Sequence, residues 1–169
     1  DAINIIQDIG AAARAVSGDA YERVVGLALH GNTDRIGRLV EGNFLTEAQL
    51  ISLTVLQGDA GPARRRLQAA EERLERARAQ GELGEIRAAE EEVSSRRAIL
   101  ADFDPHALAM LEAFEEAAEA LADAGVSTVE LHACNAGRGP AGVGTLGFLR
   151  RLERFLSKRG GPQVSVKAH

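Results

Sequence analysis

The 169-residue chain is 45% hydrophobic and 27% charged, the balance of an ordinary globular protein large enough for one domain with a full core. No apolar run approaches the ~18–20 residues that a membrane-spanning helix needs, and a net charge of −5 supplies no positive field for phosphate backbones, so neither a membrane span nor a nucleic-acid partner is expected. A single cysteine cannot form an internal disulfide, which favours a reducing, cytoplasmic compartment. The chain starts at Asp1 without a basic n-region or an apolar h-region, so no signal peptide is expected, and it reads as a fragment or a processed piece.

From Ala2 to Ser17 apolar residues fall at Ile5, Ile6, Ile9, Ala12, Ala13 and Val16, the spacing of a helix with one buried face, and Gly18 offers a stop. Arg23 to Leu29 (RVVGLAL) is a short apolar run ending at His30-Gly31, which predicts a buried strand. Asn32 to Phe44 has turn residues at both ends and an alternation that fits a β-hairpin. Thr46 and Gln49 have capping-box spacing, predicting a helix from Glu47 to Gln57 that Gly58 ends.

Pro62 to Leu100 is rich in Ala, Arg, Glu, Gln and Leu, with breaks at Gly81 and Gly84. It predicts an inserted antiparallel helical hairpin, a charged arm with a thin seam of Leu67, Leu74, Leu83, Ile86, Val93 and Leu100. Pro105 opens an amphipathic helix through Leu108, Leu111, Phe114, Ala118 and Leu121, closed by Gly125. Thr128 to Cys134 reads as a strand, followed by a Gly-rich loop, a helix from Thr145 to Arg159 and a last strand, Gln163 to Ala168. Strands separated by helices imply an α/β fold, with a mainly parallel sheet carrying helices on its faces, in one domain over 1–169 with the arm 62–100 inserted.

In an open parallel sheet ligands bind at the carboxyl ends of strands, where both His30-Gly31 and Cys134 fall. A thiol attacks as the thiolate and an imidazole within reach takes its proton, so this pair is the minimum set for acyl transfer. The backbone N–H groups of Gly31 and Cys134 are candidate oxyanion donors.

These residues resemble the caspase-like, or clan CD, cysteine peptidases, which include caspases, CHAT domains, separase, gingipains and self-processing toxin domains. The resemblance rests on LALHG and VELHACNAG in their strand contexts, the hairpin after His-Gly and the LTEAQL helix start, and it covers about residues 22–58 and 105–168. It implies a three-layer caspase-like fold and a peptidase acting on peptides or proteins, with Cys134 as nucleophile, His30 as general base and Gly31 as oxyanion donor. It also places His132, two before the cysteine, on the wall of the pocket for the residue preceding the cut. His30 and Cys134 lie farther apart than the ~50 residues usual in caspases, most of the excess being the arm. The family's core opens with a strand that this sequence does not show before its first helix.

Asp34 and Glu41 in the hairpin are weaker candidates for contact with a basic substrate side chain, and Arg138 for contact with an acidic one. No cofactor is implied, and the four His and one Cys show no metal-ligand spacing such as Cys-x2-Cys. A cysteine-dependent phosphatase is disfavoured, because Arg138 follows Cys134 too closely for guanidinium and loop amides to converge on one phosphate. The alternative from another class is a catalytically silent caspase-like scaffold or protein-interaction module, with the arm 62–100 as its working surface.

Overall fold

The computed structural model describes residues 1–16, 23–32, 35–38, 43–133 and 145–169. In chain order the elements are α1 (Ala2–Ala15), β1 (Arg23–Asn32), β2 (Arg35–Arg38), β3 (Asn43–Thr46), α2 (Glu47–Gln80), α3 (Leu83–Leu100), α4 (Pro105–Asp123), β4 (Val126–Ala133), α5 (Thr145–Leu156) and β5 (Ser165–Ala168). They form two compact units, one of residues 1–53 and 109–169 and the other of residues 54–108.

The first unit is a mixed α/β structure around a five-stranded sheet of order β3-β2-β1-β4-β5. β1, β4 and β5 are parallel, and the β2–β3 hairpin adds antiparallel to the far end of β1, where His30, Gly31 and Asn32 stand opposite Gly37, Ile36 and Arg35. The predicted hairpin is therefore present, its strands held by the cross-strand pair Ile36 and Leu45, both fully buried. β1 runs three residues past the predicted end at Leu29, because β2 gives His30 to Asn32 a partner.

Parallel neighbours in register share a face, and on one face Val25, Val129 and Val166 line up, with Leu131 and Ala133 beside them, all buried. α1 packs against β1 and β3, and α5 against β5. α4 meets α1 where Gly10 faces Ala117, and meets α5 through the stacked rings of Phe114 and Phe155, 4.9 Å between centroids. Ile5, Ile6 and Ile9 of α1, Leu111, Phe114 and Leu121 of α4, and Phe148, Leu152 and Leu156 of α5 complete this core. Each such side chain contributes roughly 1.5–3 kcal/mol by leaving water.

The opposite face departs from the three-layer expectation. Among the described residues it is open: Val24, Gly26, Ala28, His132, Ser165 and Lys167 are exposed. The reason is chemical, since a helix laid over Glu130, His132, Ser165 and Lys167 would strip water from polar groups without replacing it. The phase of β4 also shifts. Arg23 pairs with Val126 but Val24 with Thr128, so β4 carries one extra residue there, which turns Ser127 outward and brings Val129, Leu131 and Ala133 into the core.

The predicted capping box forms: the Thr46 N–H donates to Gln49 Oε1 at 2.9 Å and the Gln49 N–H to Thr46 Oγ1 at 3.2 Å. The predicted stop at Gly58 does not. α2 runs on through Gly58, Gly61 and Pro62 to Gln80. A glycine ends a helix by adopting positive φ, and Gly58 does not, whereas Gly81 (72°) and Gly125 (66°) do. Pro62 lacks the N–H that would bond the Gly58 carbonyl and its ring crowds that turn, yet α2 continues into Ala63 to Gln80, a stretch rich in good helix formers.

The second unit contains the helical hairpin, turning at Gly81 between α2 and α3. Its core is Ala70, Leu74, Ala89 and Val93, flanked by Leu67 and Ile86. Leu83, placed in the seam by the sequence, is instead 83% exposed. Two alanines take part because helices approach closely where side chains are small. Arg73 bridges the pair, its Nε donating to Glu85 at 2.8 Å and its Nη1 to Glu92 at 2.7 Å.

Candidate active site

β1 and β4 are adjacent parallel strands, and β1 carries the backbone of His30. Along β1 and β4 the register runs from Val24 opposite Thr128 to Leu29 opposite Ala133. The residues that follow Leu29 and Ala133 in the chain are His30 and Cys134. Apolar residues hold this register by pairing across the strands on the covered face, and a slip by one residue would turn Leu27, Leu29, Leu131 and Ala133 away from the core.

The backbone of His30 closes the stretch opposite Gly37, and Gly31 is half-buried within β1 opposite Ile36, in a strand rather than in a free loop. The His30 side chain, Cys134, Asp34, Glu41 and Arg138 lie outside the described residues. Downstream of Cys134, α5 is anchored near its start. The Glu47 carboxylate at the head of α2 approaches Gly147 so closely that a Cβ there would lie 2.7 Å from Oε1, and it stands 3.9 Å from Arg151 Nε. That separation is an ion pair rather than a hydrogen bond, and Arg151 Nε is buried with no hydrogen-bond partner among the described residues. At the other end of α5 the Glu153 carboxylate accepts from the Val166 N–H at 3.0 Å, and Ser157 Oγ accepts from the Val164 N–H at 2.9 Å, tying the helix to β5.

His132, the predicted pocket residue, is on the open face with its side chain 54% exposed. Its ring stacks on that of His169, 5.2 Å between centroids and 17° between planes, and it leans over Gly26, whose added Cβ would lie 3.8 Å from Nε2. The Glu130 carboxylate faces both imidazoles, at 3.7 Å from His132 Nε2 and 3.6 Å from His169 Nε2. Neither Glu130 nor His169 is among the candidates named from the sequence. The signal was the alternation itself: Glu130 and His132 on β4 and Lys167 and His169 at β5 are at period-2 spacing on neighbouring strands.

Compared with known proteins, the chain matches no family model, no curated protein and no solved structure. Among the described residues, no helix is long and apolar enough to cross a membrane.

Proposed function

We propose that this chain is a caspase-like cysteine peptidase core in which Cys134 and His30 form the catalytic dyad. The observation that supports the reading is the parallel register of β1 and β4. Leu29 stands beside Ala133 in that register, and His30 and Cys134 are the residues that follow these two in the sequence. In this reading His30 takes the thiol proton and the thiolate attacks the scissile carbonyl carbon. The oxyanion is held by the Gly31 and Cys134 amides, and His30 returns the proton to the leaving amine. Water then hydrolyses the thioester. His132 lines the pocket before the cut, Asp34 and Arg138 are its outer contacts, and the substrate is a peptide or protein. The compartment assigned is the cytoplasm, on the cysteine count alone.

The test is the pH dependence of Cys134 alkylation by iodoacetamide in the folded chain and in His30→Ala. Fast reaction near pH 6 in the wild type, lost in the variant to the behaviour of a free thiol with pKa ~8.5, is the expected result. Slow and equal reaction in both overturns the dyad.

A second reading is favoured by one observation in the arm. Between α2 and α3 an open groove is floored by Leu74 and Val93 and walled by Glu71, Glu75, Arg78 and Glu90. A catalytically silent scaffold that binds a protein partner along this groove is the function that remains if alkylation shows no activated thiol.

A further inference from the structure

The imidazole pair on the open sheet face has a chemistry that the peptidase reading does not use. Leu131 is in register with Ala168, and the His169 N–H donates to the Leu131 carbonyl at 3.0 Å, so His132 and His169 are the next neighbours across two parallel strands. Direct cross-strand neighbours on one face bring their Cβ atoms within roughly 4.5–5.5 Å, which lets two imidazoles reach one small ion. Both side chains are about half exposed, at 54% and 52%. Among the described residues neither ring nitrogen finds a hydrogen-bond partner, because the Glu130 oxygens at 3.6 and 3.7 Å are beyond bonding distance.

Those distances suit a shared ion better than a direct bond. An ion bound to either Nε2 at ~2.0–2.2 Å would lie within a few ångströms of the carboxylate, which is 3.7 Å from His132 Nε2 and 3.6 Å from His169 Nε2. On β1 the small residue Ala28 stands across from His132, and Gly26, opposite Glu130, puts no side chain against the ring that leans over it. Among the described residues, no group of three or more His, Cys, Asp or Glu converges on a single point as it stands. Two ligands suffice for a chelate when water fills the remaining positions. The exposed rings must tilt together from their 5.2 Å stack to complete it.

We propose that His132 and His169 form a two-imidazole chelate for a divalent transition cation such as Zn2+, with the Glu130 carboxylate offsetting the charge of the ion and Lys167, its register partner, opposing it. Neutral imidazole is the ligand type such ions prefer, and a facing carboxylate raises affinity at a site open to water. The absence of ligand spacing along the sequence does not bear on this pair, because adjacency comes from strand pairing and not from position in the chain. The proposal shares His132 with the peptidase reading but needs neither Cys134 nor His30.

The experiment is calorimetric titration of the untagged chain with Zn2+ at neutral pH, in the wild type, Cys134→Ser, His132→Gln, His169→Gln and Glu130→Gln, each checked for its fold by circular dichroism. One ion bound by wild type and Cys134→Ser alike, with at least ~10-fold weaker binding in each histidine variant and a smaller loss in Glu130→Gln, is the expected result. Either of two results overturns the proposal: undiminished binding in both histidine variants, or binding that disappears in Cys134→Ser. Glutamine keeps the volume and polarity of the exposed side chain, and because the site crosses strands, His169→Gln at the end of β5 keeps the test open if His132→Gln disturbs β4.

Discussion

Thr46 and Gln49 show how much one short contact decides. Each satisfies the other's backbone N–H at the head of α2, and that head also presents Glu47 to Gly147 and Arg151 on α5. Losing the threonine hydroxyl leaves the Gln49 N–H without its partner, so Thr46→Ala is expected to lower stability by ~1 kcal/mol, while Thr46→Ser keeps most of it. Urea unfolding of the two variants checks this, and equal midpoints for alanine and wild type would sink it. Such a pair is readable without a structure, since both partners sit three residues apart in the chain. The Glu130, His132 and His169 cluster is not, because its members meet only when β4 and β5 pair.

The helical arm separates two kinds of contribution. Leu74 is buried in a small core, so Leu74→Ala is expected to cost ~2 kcal/mol, at the low end of such changes because few neighbours surround it. Arg73 makes the better-looking contacts, yet its side chain is 42% exposed and water competes for both carboxylates, so Arg73→Ala is expected to cost less than Leu74→Ala and less again in high salt. Thermal unfolding of both variants at low and high salt tests the order, and a larger loss for Arg73→Ala would reverse the argument. The Glu85 hydrogen bond, and after it that of Glu92, raises the Arg73 pKa above its already high ordinary value. A raised folded pKa on a base stabilises below the unfolded pKa and is lost only as pH climbs past the folded one. For arginine that window lies above pH ~12, so this pair adds no pH dependence from the guanidinium in the physiological range. The alternation of charges was legible as helix; which residues entered the seam was not, since Ala70 and Ala89 are in it and Leu83, the first residue of α3 beside the turn, is exposed.

The two compact units have separate buried cores, and damage to one should stay local. Phe114 is buried against Phe155 in the first unit, so Phe114→Ala is expected to destabilise that unit by ~3–5 kcal/mol. Native-state hydrogen exchange reads the effect residue by residue: amides of β1, β4 and α4 beyond Leu108 lose protection, and amides in the middle of α3 keep theirs. Uniform loss across residues 1–169 would mean that the chain opens as one cooperative body.

Local chemistry in the chain was enough for the kind of each element and for their order, except that α2 was read as two helices. Hydrophobic period marked α1, α4 and α5, a short Val- and Leu-rich run marked β1, the capping box marked the start of α2, and Gly125 marked the end of α4. These signals act over a few residues, through propensity, capping and the burial of one face. Three outcomes needed the tertiary structure. α2 passes Pro62 and stays helical beyond it where Leu67, Ala70 and Leu74 pack against α3. β1 reaches Asn32 because β2 arrives to pair with it, and one face of the sheet is open because β4 and β5 alternate polar residues there. Adjacency between distant residues, the register of Leu29 with Ala133 and of the strands that carry His132 and His169, follows from strand pairing, which no local pattern encodes.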